Sequence, residues 1–213
     1  MTLKQWLLCT FTGSTIFATT GCGSANETTQ AETQTIQLEK AEAFIDAFYS
    51  FDAERLAPLL ADAPESSEGL LYYQGWAEGG NYKIMNRGAC EPTDKPNTIA
   101  CPITVQDDPV LALNTGFNVT DTFTMTFKGT DLVAVDTSSN DQPIYYQARE
   151  WVLKEMPEIM DGPCKDFYKG GTTPGDCARA MTEGYKKFAA SDEFPGNTPP
   201  DLAEDTPTEP DES

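Results

Sequence analysis

The placement of six cysteines constrains this chain more than any other feature. Cys9 and Cys22 lie in the first 22 residues, and Cys90, Cys101, Cys164 and Cys177 lie in the body. The opening segment, MTLKQWLLCTFTGSTIFATTGC, has the layout of a secretory signal. Lys4 stands near the start, a mostly apolar run extends from Trp6 to Ala18, and small residues close it. That run is too short and too rich in Thr and Ser for a membrane span, which needs about 20 apolar residues. Export carries the chain into an oxidising compartment, where an even set of cysteines forms bridges. Three connectivities exist for four cysteines. We expect the local pairs, Cys90–Cys101 and Cys164–Cys177, because each closes a short loop of turn formers, EPTDKPN and GGTTPGD. Loop-closure entropy assigns each bridge about 2–3 kcal/mol. A zinc site built from all four does not fit, because neither pair has the tight spacing that such sites use.

The end of the signal carries a second message. Ala18-Thr19-Thr20-Gly21-Cys22 resembles a bacterial lipobox, in which a small residue precedes the cysteine that takes the lipid. Gly21 and Thr20 fit that pattern, whereas Thr19 stands where an aliphatic residue is usual. The resemblance implies lipidation at Cys22 and a domain held at the bacterial cell envelope. The alternative is cleavage near Ala25 and a secreted or periplasmic soluble chain. Residues 23–37 are rich in Ser, Thr, Gln, Asn and Glu and read as a disordered tether. Residues 38–190 form the folded region. Residues 191–213 hold eight acids, five prolines and no base, the composition of a disordered acidic tail.

Charge and residue inventory exclude whole classes of function. The net charge is −20, from 34 acids against 14 bases. A nucleic-acid partner needs a basic footprint, and anionic lipid would repel such a surface. The chain has no histidine. That removes Ser-His-Asp and Cys-His nucleophile systems, histidine-bearing zinc sites, and the commonest general base near neutral pH. Nothing in the sequence calls for a cofactor or a metal.

Periodicity organises the folded region. Leu38, Ala41, Ile45 and Phe48 recur at helical spacing, with Phe44 and Tyr49 widening the stripe. Asp52 is placed to cap a second short helix carrying Leu56, Leu59 and Leu60. ESSEGLLYYQGWAEGGN reads as a third helix stopped by Gly79-Gly80. The period then changes to two over residues 82–90, 99–106 and 122–127, and Lys128-Gly129-Thr130-Asp131 reads as a hairpin turn before LVAVD. Residues 145–156 and the segment CARAMTEGYKKFAAS return to helix. The order predicts an α+β domain with helices packed on one face of a curved antiparallel sheet.

Two short helices separated by Asp52, then GWAEGGNYKIMNRGAC, IACPITVQDD and FNVTDTFTMTFKGTDLVAV, resemble the nuclear transport factor 2-like superfamily, and within it the SnoaL-like branch. The resemblance spans residues 38–139 and implies a cone-shaped sheet whose mouth is closed by the N-terminal helices. Residues beyond 139, with the second cysteine pair, form a helical extension outside it. Isomerase-type members carry a Tyr on the first helix where this chain has Phe44, which cannot donate to an oxyanion. Dehydratase-type and cyclase-type members use His, which is absent here. The expectation is therefore no isomerase, cyclase or dehydratase activity, and an envelope domain that binds a protein partner or a second copy of itself. The alternative is a small apolar ligand inside the cone, against Phe48, Tyr72, Trp76, Phe123, Met125 and Phe127. A SnoaL-like enzyme using a carboxylate base stands behind both, with Asp121, at the head of the Phe123 strand, as its candidate. Asp107-Asp108 reads as a solvated turn at a strand end, although adjacent acids there could raise one pKa.

Overall fold

A computed structural model describes residues 24–167 and 171–196. The signal, Cys22 and the tail beyond residue 196 lie outside the described residues. Helix α1 spans Ser24–Phe48. No Pro or Gly interrupts that stretch, and Ala, Glu and Gln, all good helix formers, recur along it. Residues 24–37, expected as a disordered tether, are thus helical. The polar composition that suggested a tether equally suits an exposed helix: the side chains of Thr29 to Ile36 are almost all exposed. Burial begins at Gln37, whose Nε2 donates to the carbonyl of Gly129 at 2.7 Å. Ala41, Phe44, Ile45 and Phe48 then form the buried stripe that their spacing predicts.

The chain reverses through Phe51, at φ 56°. Asp52 caps the next helix, α2 (Ala53–Leu56), by accepting from the Glu54 N–H at 2.9 Å. A 3₁₀ turn, Ala57–Leu60, follows and leads to α3 (Pro64–Gly79). The last carbonyls of α1 have no partner within their own helix. Gln74 of α3 supplies one: its buried Nε2 donates to the carbonyls of Ala47 and Phe48, each at 3.0 Å. One side chain thereby fixes α3 against the end of α1.

Five antiparallel strands make one open sheet. They are β1 (Lys83–Arg87), β2 (Glu91–Pro92), β3 (Thr98–Gln106), β4 (Val119–Lys128) and β5 (Asp131–Ser139). The order is β1-β3-β4-β5, with the short β2 also paired to β3. Strict alternation along β3 and β4 places Ile99, Cys101, Ile103 and Val105, and Val119, Asp121, Phe123, Met125 and Phe127, on the buried face. The β4–β5 hairpin closes through Gly129 and Thr130, with Gly129 at φ +62°. Glycine at the first of two central positions is what a tight turn with positive φ there requires. Arg87 pairs with Glu42 and Asp46, tying edge strand β1 to α1.

Helix α4 (Asp108–Leu111) joins β3 to β4. After β5 come α5 (Pro143–Glu155), α6 (Pro157–Asp161) and α7 (Pro174–Ala189). They build a second core from Ala148, Val152, Met156, Ile159, Met181, Tyr185 and Phe188. Both bridges pair as expected, Cys90 with Cys101 and Cys164 with Cys177. These disulfides mark an oxidising, non-cytoplasmic setting. Among the described residues, no helix is long and apolar enough to cross a membrane. The folded region also extends past residue 190. Phe194 packs on Phe188 with ring centroids 5.4 Å apart, and Trp151 Nε1 donates to Glu193 at 3.0 Å. Two residues assigned to an acidic tail by composition are thus held by aromatic partners.

Candidate functional site

The two cores do not close on one another. Between them lies a cavity of about 300 Å³, bounded by α3, the ends of β3, β4 and β5, and the helices of the C-terminal extension. Helix α3 sends Tyr72, Tyr73 and Trp76 into it while Leu70, Gln74 and Ala77 face the first core. Tyr145, Arg149 and Leu153 enter from α5, and Met181 and Tyr185 from α7. The Cys164–Cys177 bridge forms part of the wall. Exposed residues Thr137, Ser138 and Ser139 and half-buried Asp141 rim the side that opens to solvent.

The helical extension reaches this position because glycines permit it. A Cβ on Gly79 would overlap the backbone of Gly175, so α7 begins directly against the end of α3. Its far end leans on α5, where Gly184 lies against Val152.

Three carboxylates line the cavity. Asp121 lies on the inner face of β4 between Val119 and Phe123, where strand alternation dictates burial. The Tyr49 hydroxyl donates to its Oδ2 across 3.4 Å. Burial pushes the Asp121 pKa up to about 6, against the counter-pull of the Tyr73 and Tyr49 hydroxyls and with a further rise from Asp141. Asp107 follows β3 and caps α4, accepting from the Val110 N–H through Oδ1 at 2.8 Å. Its other oxygen, Oδ2, is buried with no partner among the described residues. Burial, reinforced by the charges of Asp121, Asp141 and Asp108, pushes its pKa up to about 7 despite the Val110 bond. Burial likewise holds the Tyr73, Tyr82, Tyr145 and Tyr185 hydroxyls well above their ordinary range, so they stay protonated.

The expected ligand-facing residues divide. Tyr72 and Trp76 line the cavity. Phe48, Phe123, Met125 and Phe127 do not; they are packed solidly into the first core, where Phe123 stacks among Phe44, Phe48, Tyr49 and Tyr73. The helices α1 and α3 pack directly on that sheet face. Asp121 lines the cavity as its strand position suggested. Asp107, read as solvated, is 2% exposed. Its companion Asp108 takes the half-buried place, accepting from Asn81 at 3.2 Å. Tyr82, Tyr145, Arg149, Met181 and Tyr185 were not singled out in the sequence. Tyr82 stands in the connection between α3 and β1 and the others in the C-terminal extension, and only the tertiary fold brings them to the cavity beside α3. Phe44 is fully buried, yet a hydroxyl does reach the candidate carboxylate, from Tyr49 just beyond the end of α1. No residue cluster suited to a metal occurs among the described residues. No family model, curated protein or solved structure matches the chain.

The two raised carboxyl pKa values fix a direction for stability against pH. In the unfolded chain both acids ionise near pH 4, whereas in the fold they hold their protons up to about 6 and 7. The native state therefore binds more protons across that window, and stability falls as pH rises through it. We predict a higher Tm at pH 5 than at pH 8 for the ligand-free protein. The net charge of −20 acts in the same direction through self-repulsion, so the variants isolate the effect. Asp107→Asn and Asp121→Asn should each flatten the slope and gain about 2 kcal/mol over wild type at pH 8, measured by chemical denaturation. Slopes that match the wild type would contradict this.

Proposed function

We propose that this chain is an exported small-molecule-binding protein whose ligand occupies the cavity between the NTF2-like half and the C-terminal helices. The observation that carries this reading is the cavity itself. At about 300 Å³ it is large enough for a small ligand, and aromatic side chains dominate its wall, with polar groups converging from different elements. Among the described residues, Asp107 Oδ2, the Tyr72 hydroxyl and Arg149 Nε are buried without a hydrogen-bond partner, which favours an occupant over a dry void, since buried polar groups are normally paired. The convergence of these polar groups beside the aromatic rings favours a bound ligand over assembly with a protein partner.

The NTF2-like assignment is part of the proposal. Its support is the order of three N-terminal helices followed by an antiparallel sheet whose apolar face they cover. A cone would follow if the sheet curves around α1. Anchoring through a lipid on Cys22 is also part of it, supported by the lipobox-like segment and by two bridges that imply export. A long polar helix ahead of the buried core would then act as the spacer between membrane and domain.

Two measurements check these claims. The neutral fluorophore N-phenyl-1-naphthylamine should bind saturably, one per chain, with an emission rise. Leu153→Trp, which fills the cavity from α5, should weaken it about tenfold. Absence of saturable binding by the wild type would sink the ligand reading. Separately, the chain expressed in a bacterium with lipoprotein processing should incorporate labelled palmitate, and Cys22→Ser should abolish the label. An unlabelled wild-type chain released into the medium would refute the anchor.

A further inference from the structure

Resting on that reading of the cavity, we propose that its ligand is an organic cation: an amine or quaternary ammonium whose charged head sits between Asp107 and Asp121 and whose apolar body lies against the tyrosine and tryptophan rings.

The charges around the cavity are unbalanced. Asp107, Asp121 and Asp141 line it, against Arg149 as the one cation among the lining residues. Asp107 and Asp121 are 2% and 3% exposed. Among the described residues, neither is within ion-pair distance of a lysine or arginine. A buried carboxylate must find a cation or take up a proton, because a charge left unpaired out of water is strongly unfavourable. Asp107 offers a free oxygen: Oδ1 is spent on the Val110 N–H, and Oδ2 has no partner among the described residues. Asp121 retains capacity as well, since an ionised carboxylate accepts up to about four bonds and the Tyr49 hydroxyl is a long donor at 3.4 Å.

The rest of the wall suits the same head group. Tyr73, Trp76, Tyr82, Tyr145 and Tyr185 line the cavity together with the carboxylates, and indole and phenol faces attract cations through their ring quadrupoles. Tyr73 and Tyr82 meet edge to face at 6.3 Å, and Tyr145 and Tyr185 at 5.4 Å. Arg149 does not neutralise the acids. Its guanidinium lies over the Tyr146 ring, 5.5 Å from the centroid. Arg149 Nε is itself buried without a hydrogen-bond partner among the described residues, but an anionic ligand reaching it would face three carboxylates. The whole-chain charge of −20 would further raise the local concentration of a cation and repel an anion.

Binding should also depend on pH. Asp107 is faced by Tyr82, Asp108, Asp121 and Asp141; Asp121 is faced by Tyr49, Tyr73 and Asp141; Arg149 stands across the cavity on α5. None of these is a cation close enough to keep both acids ionised in mildly acidic solution. Protonation below about pH 6 would remove both counter-charges, and with them the preference for a cation.

Three probes with one shape and different charge test the proposal by calorimetric titration of the full mature chain: phenethylamine, 2-phenylethanol and phenylacetate. At pH 8 we expect phenethylamine to bind at least about tenfold more tightly than the alcohol, and phenylacetate most weakly. At pH 5 the ratio of amine to alcohol should fall to about one. Asp107→Asn and Asp121→Asn should each lower that ratio at pH 8, with near-ultraviolet circular dichroism verifying the fold. If either variant fails to fold, the pH dependence of the wild-type ratio decides. Equal affinity for amine and alcohol at pH 8, or tightest binding of phenylacetate through Arg149, would overturn the cation assignment while leaving a small-molecule pocket in place. Failure of all three probes to bind would overturn both.

Discussion

The seat of α7 on α3 is the contact on which the functional architecture depends. Gly79 ends α3 and Gly175 opens α7, and their backbones meet with no room for a side chain on Gly79. Further up α3, Gly75 faces the ring of Pro174 with equally little space. This approach sets the C-terminal helices beside the sheet-and-helix half instead of over it. Two cores result, each internally close-packed, with a gap where they adjoin. The Cys164–Cys177 bridge restrains the start of α7 from the other side. A looser approach would move Met181 and Tyr185 away from Tyr72 and Trp76 and open the cavity to solvent.

Within that gap, electrostatics and packing pull in opposite directions. The fold buries Asp107 and Asp121 because each also has a structural post: one caps α4, the other occupies an inward position on β4. An apolar residue at 121 would continue the row from Val119 to Phe127 without cost. A carboxylate there loses hydration and recovers only hydroxyl contacts from Tyr49 and Tyr73. Such a residue reduces the stability of the empty protein at neutral pH, and the compensation must come from a proton or a bound cation. Stability is surrendered at the site that would recognise a ligand, while the salt bridges among the described residues lie on exposed surfaces, as Arg87 does with Glu42 and Asp46.

Much of the first half was legible from local pattern. The stripe Ala41, Phe44, Ile45 and Phe48, the Asp52 cap, the alternation through Phe123, Met125 and Phe127 and the Gly129 turn are signals carried by a few neighbouring residues, and the structure follows each. Both cysteine pairs followed from loops short enough to close locally. The site was less visible because it is assembled across long sequence separations. Apolar alternation marks Phe123, Met125 and Phe127 as inward-facing but cannot say whether the facing space is filled, and α1 and α3 fill it. Asp107 carries the same letter as a solvated turn acid; only the path of β3 into α4 buries it. Tyr145, Arg149 and Tyr185 belong to an extension with no repeat or motif, so nothing local announces that they oppose Trp76. The polar run after residue 23 is ambiguous by composition, since exposed helix and tether use the same residues.

Among the described residues, the two carboxylates inside the cavity stand without a cationic partner. The most direct measurement is a carbon-13 NMR titration of the Asp side-chain carboxyls, assigned through Asp107→Asn and Asp121→Asn and followed in the absence and presence of saturating phenethylamine. Two resonances should titrate at about 7 and about 6 in the ligand-free protein, both moving to lower pH when the amine is bound. Two aspartates that titrate at their ordinary value near pH 4 in the ligand-free protein, unmoved by the amine, would contradict this.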